Sequence, residues 1–135
     1  MLQITGLYAS LLGLLIIFLA YKVVAFRRSQ KVGLGDNGDI QGQKVIRCHA
    51  NAVEYIPILI ILMAIYEING GSSLVLNIIG GLAVICRLLH AFGLSKSGGV
   101  STGRFYGTLI TWLLIVALAG LNLINYYTST LLANI

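Results

Sequence analysis

The stretch Phe105-Tyr106-Gly107-Thr108-Leu109-Ile110-Thr111-Trp112-Leu113-Leu114-Ile115-Val116-Ala117-Leu118-Ala119-Gly120-Leu121-Asn122-Leu123-Ile124-Asn125-Tyr126-Tyr127 contains no charged side chain and closes on two tyrosines. About 20 apolar residues, rising 1.5 Å each, cross the roughly 30 Å hydrocarbon core of a bilayer, and tyrosines gather where that core meets water. The stretch therefore predicts a membrane-spanning helix. The rest of the chain agrees: over 135 residues 58% are hydrophobic and 10% charged, and mean hydropathy is +0.92. A soluble domain carries about 25% charged residues, so too few are present here to coat a water-facing surface. A soluble globular protein, a disordered chain and a collagen-like one are all excluded.

Working back from this run, the next apolar segment extends from about Leu74 to Leu94 and contains Arg87 and His90; Lys96-Ser97-Gly98-Gly99 ends it. A tight turn at Asn69-Gly70-Gly71 precedes it. Before the turn lies a segment from about Lys44 to Tyr66, apolar in its later half but carrying Arg47, His49, Asn51 and Glu54 in its earlier half. A first loop rich in glycine, Asn and Asp separates it from the opening run, Ile4 to Phe26, in which Lys22 is placed to snorkel toward the interface. The chain thus predicts a single all-α domain, an integral membrane four-helix bundle with helices at about 4–27, 44–67, 74–95 and 104–127. The N-terminus lacks the basic leader and small-residue cleavage site of a signal peptide, so its apolar run is expected to stay.

The net charge is +5, but the basic residues are scattered between apolar runs and form no stripe for nucleic acid. They mark topology instead. Arg27, Arg28, Lys31 and Lys44 flank the first loop, Lys96 and Arg104 the third, and the middle turn has none. The positive-inside rule then places loops one and three in the cytoplasm and both termini outside. Small residues four apart, Gly6 with Ser10, Ala9 with Gly13 and Gly103 with Gly107, are candidates for close helix approach.

Charged residues inside a membrane segment are costly and face a bundle interior or a cavity. Arg47, Asn51 and Glu54 are spaced i, i+4, i+7 and share one face of the second helix, bordered by Tyr55. Pro57 removes the backbone hydrogen bond to Val53 beside this stripe. At 1.5 Å per residue Glu54 lies roughly 15 Å beyond Lys44, and Arg87 about 12 Å before Ser95 on a helix running the other way. Matching depths suggest a Glu54–Arg87 pair, with His90 on the face of Arg87. Such a network could serve packing alone. More cationic donors are present than one carboxylate satisfies, which points to an anionic ligand. Cys86 and His90 at i, i+4 make at most half a metal site, so no metal is expected. Cys48 and Cys86, both in apolar segments, are expected to be reduced.

The run Arg47-Cys48-His49-Ala50-Asn51-Ala52-Val53-Glu54-Tyr55-Ile56-Pro57 resembles the MAPEG family, the membrane-associated proteins in eicosanoid and glutathione metabolism, in particular its bacterial members. The resemblance extends over the whole chain, with four helices, a basic first loop, Asn69-Gly70 and Arg87-x-x-His90. It implies a homotrimer binding glutathione between subunits, on the cytoplasmic side of an inner membrane. Carried over by position, Arg47, Asn51, Glu54, Tyr55, Arg87, His90 and Arg27 would hold the tripeptide, while Arg104 and Arg28 would stand by its thiolate as catalytic groups. Where eicosanoid synthases of the family carry a tyrosine, one turn after His90, this chain has Leu94.

The expected function is a membrane-bound glutathione transferase or peroxidase acting on lipophilic electrophiles that enter from the lipid and meet the thiolate between helices one and four. Two alternatives stand beside it, a non-catalytic lipid- or glutathione-binding member of the family and a small multidrug-type transporter. A cation carrier is disfavoured by the arginines around Glu54.

Overall fold

A computed structural model of the chain describes residues 1–96 and 102–133, with side chains described for 1–92 and 102–131. It contains four α-helices: α1 (Gln3–Ser29), α2 (Ile40–Ile68), α3 (Ser73–Lys96) and α4 (Thr102–Ala133). Each includes a stretch long and apolar enough to cross a membrane. The chain is an all-α integral membrane protein, as its composition requires. The expected third loop falls on residues 97–101, outside the described residues, as does the side chain of Leu94.

Contacts at the helix ends show an up-down-up-down order. Glu67, in the last turn of α2, accepts hydrogen bonds from the backbone N–H groups of Ile4 (3.0 Å) and Thr5 (2.7 Å) at the start of α1. Tyr8 of α1 donates to the Asn77 carbonyl near the start of α3 at 3.0 Å, so α1 and α3 run in the same direction. Asn122 of α4 donates to the Leu62 carbonyl of α2 at 3.0 Å, which sets α2 and α4 parallel. The helices α2 and α3 pack against each other and against both outer helices, whereas α1 and α4 do not touch among the described residues. The core between them is apolar: Leu12, Leu59, Met63, Leu76 and Leu118 are fully buried. Outward, large apolar side chains such as Leu14, Ile17, Ile78 and Val116 are exposed, the pattern of a surface solvated by lipid.

The helix ends have local causes. The Asp39 side chain caps α2 by accepting from the N–H groups of Gln41 (2.6 Å) and Gly42 (3.1 Å), so α2 starts at Ile40, earlier than the apolar pattern predicts. Beyond α2 the expected turn is present. Gly70 has φ +77°, a left-handed conformation open to glycine at little cost, and Gly71 N–H returns to the Tyr66 carbonyl at 2.9 Å. Pro57 stands inside α2 and the helix continues through it. The expected close approach of small residues holds for Gly107, where an added Cβ would meet the Cys86 carbonyl oxygen at 2.8 Å and His90 Cβ at 2.9 Å. Gly6 and Gly13 meet nothing within 4 Å inside the chain.

Candidate functional site

Gly107 brings the backbone of α4 against α3, and that proximity makes a polar junction in the middle of the bundle. Arg87 of α3, only 3% exposed, sends its guanidinium both ways. Its Nη1 donates to Asn51 Oδ1 of α2 at 2.8 Å, and its Nη2 to the Gly107 carbonyl of α4 at 3.1 Å. The same carbonyl accepts from Thr111 Oγ1 at 2.7 Å. The Tyr55 ring of α2 lies 5.8 Å from the guanidinium carbon, within cation–π range. One planar cation thus ties three helices together through neutral acceptors, and its Nε is buried without a hydrogen-bond acceptor among the described residues.

Beside this junction an open cavity of about 320 Å³ is lined by Asn51, His90 and Arg104, with Phe105, Leu109 and Trp112 as its apolar wall. His90 is itself buried. Arg104 enters from the first turn of α4, and the Tyr55 ring stands 6.3 Å from the ring of Trp112 in the cavity wall. One arginine, a histidine and an amide line this hollow, with the Arg87 guanidinium bonded behind Asn51, and together with the apolar wall they have the chemistry of a site for an anion with an organic body.

The expected Glu54–Arg87 pair is not formed. Glu54 approaches Arg47 on its own helix, at 4.0 Å, and both side chains are largely exposed, 48% and 66%. Asn51 takes the acceptor role instead: on the same side of α2 it is half-buried where Arg87 arrives from α3, while Arg47 and Glu54 on either side of it are turned outward. Arg27 turns into the first loop, its Nε donating to the Gly35 carbonyl at 3.4 Å, and Arg28 is exposed at the end of α1. Neither lines the cavity. Asn51, Tyr55, Arg87, His90 and Arg104 are therefore gathered about one centre. Arg47 and Glu54 extend the polar surface outward, and the two α1 arginines lie apart. Thr111 and Trp112 were not anticipated from the sequence; the Gly103/Gly107 spacing was the one signal of a crossing at which they would matter.

The family model described as the MAPEG family matches residues 5–124. The chain belongs to the MAPEG family. Every candidate residue lies within the matched segment. Among relatives, the chain is 38% identical over 121 residues to the inner membrane protein YecN of Escherichia coli strain K12, an alignment covering 88% of this chain and 91% of YecN. YecN of Escherichia coli O6:H1 matches at the same identity and coverage. Membership places this MAPEG chain among membrane proteins of glutathione and eicosanoid metabolism.

Proposed function

We propose that this MAPEG protein is a glutathione-dependent transferase or peroxidase of the inner membrane, acting on lipophilic electrophiles, with glutathione held between the subunits of a homotrimer. The observation that carries this reading is the exposure of Arg47 and Glu54 on the outer face of α2. Charges at membrane depth are not left facing lipid, because each costs about 2.5–3.5 kcal/mol on insertion scales. A neighbouring copy laid over α2, with a charged ligand between, satisfies them. Orientation follows the basic loops, with the site toward the cytoplasm and both termini outside.

The residues fit the tripeptide by charge. Glutathione has two carboxylates and one ammonium group; the arginines suit the first and Glu54 the second. Arg47 and Arg104 remain cationic at any physiological pH and accept carboxylates bidentately. Asn51 has given its carbonyl oxygen to Arg87, so its amide nitrogen is the donor it offers a ligand. His90 borders the same space and Tyr55 stands behind its Trp112 wall, and Arg87 acts by holding Asn51 and α4 in register. When bound, glutathione supplies a nucleophilic sulfur. A guanidinium at Arg104 favours the thiolate over the thiol. Since α1 and α4 do not meet among the described residues of one chain, Arg27 and Arg28 would join the site from a neighbouring subunit, and the lipophilic substrate would enter where that α1 meets α4.

Calorimetry on purified protein in detergent tests the reading. Saturable glutathione binding is expected for the wild type, weakened at least tenfold in Arg47→Ala and in Glu54→Gln variants of unchanged helicity. No binding at millimolar glutathione would refute it. Binding without conjugation or peroxide reduction across lipophilic electrophiles would identify a non-catalytic family member.

A further inference from the structure

On the opposite side of the bundle from the Arg87 junction, where α1 meets α2 and α3, lie two adjoining hollows. One of about 190 Å³ is polar at its mouth, with Lys22, Gln41 and Lys44 on its wall. The other, about 150 Å³, runs between Leu15 and Phe18 of α1 and Leu88 of α3. Leu19, Lys22 and Ala91 belong to both walls, so together they form one groove with a cationic end and an apolar end. Lys22 Nζ stands 5.7 Å from the Phe18 ring centroid, at the seam between the two.

Depth and charge narrow the occupant. Lys22 lies about 10 Å inside the end of α1 and Lys44 about 6 Å inside the start of α2, by helical rise, which is where the acyl region gives way to headgroups. Among the described residues neither lysine forms an ion pair with a carboxylate, the Arg47–Glu54 contact being elsewhere. Two cations at headgroup level above an apolar slot complement an anionic phosphate carrying an acyl chain, and basic pockets between membrane helices bind such headgroups. We propose that this groove is a binding site for an anionic phospholipid of the surrounding bilayer, its phosphate between Lys22 and Lys44 and one acyl chain along Leu15, Phe18 and Leu88. None of these residues belongs to the glutathione reading, and the site stands whether or not that reading holds.

Native mass spectrometry of the full chain in detergent, with dimyristoyl phosphatidylglycerol or phosphatidylcholine added at equal concentration and fixed ionic strength, tests it. The wild type is expected to retain phosphatidylglycerol about tenfold more than phosphatidylcholine. The double change Lys22→Gln with Lys44→Gln should bring the two lipids to parity, while Lys31→Gln, in the first loop, should leave the preference intact. Ala91→Leu, which fills the shared wall, should reduce retention of both lipids and serves alone if the lysine variant fails to fold. Equal retention of both lipids by the wild type would overturn the proposal, as would a loss in Lys31→Gln matching that of the double variant. Displacement of the lipid by millimolar inorganic phosphate would do the same, since the apolar slot would then contribute nothing. A groove filled by a second copy would show as wild type without lipid adducts, which also overturns it.

Discussion

Arg87 is a buried cation whose acceptors are a side-chain amide and backbone carbonyls, so its worth lies in geometry. A guanidinium presents donors in a rigid plane and reaches α2 and α4 at once; a lysine ammonium on a flexible stem does not replace that fork. Removing a charged hydrogen-bond partner from a buried site costs about 1.5–3 kcal/mol per bond. Arg87→Ala and Arg87→Lys are both expected to lower the thermal midpoint in detergent by several degrees, and a lysine variant as stable as the wild type would contradict the bridging role. At this scale the sequence singled out the polar residues inside the spans but not who meets whom. Matching depths suggested Glu54 for Arg87, while the actual acceptors, Asn51 Oδ1 and the Gly107 carbonyl, depend on helix rotation and on a glycine that lets two backbones touch.

Among the elements, α1 begins without a side-chain cap of its own. Glu67 supplies one from the far end of α2, and a carboxylate on the positive end of a helix dipole is favourable. Glu67→Ala should therefore cost about 1 kcal/mol and speed amide hydrogen exchange at Ile4 and Thr5; unchanged exchange there would show that the cap contributes nothing. Nothing local in the sequence marks Glu67 as a cap, because its partner lies more than sixty residues away. Spans were legible from apolar run length alone, but their ends were not. Gln41, Gly42 and Gln43 look like loop, yet the Asp39 cap draws them into α2. Thr128 and Thr130 look like a terminus, yet their hydroxyls bond back to the Ile124 and Tyr126 carbonyls (2.9 and 2.8 Å) and α4 continues to Ala133.

For the whole molecule, the proposed homotrimer would cover the exposed pair of Arg47 and Glu54 and bring a neighbour's α1 to α4. The wild type in mild detergent is expected to show three times the chain mass by native mass spectrometry. A purely monomeric protein would leave charges at membrane depth facing lipid and would refute the proposal of a glutathione site shared between subunits.

What the sequence by itself determined is the class of molecule and its family. Apolar run length, scarcity of charge and the Arg47 to Pro57 motif depend on chain-local quantities, a transfer energy per residue and a period of 3.6. Only the tertiary structure decided that Arg87 holds Asn51 and Gly107, that Glu54 faces outward, that Glu67 caps α1 and that Lys22 and Lys44 share a groove. Each of these is set by the rotation and crossing of rigid helices, which a one-dimensional pattern does not encode.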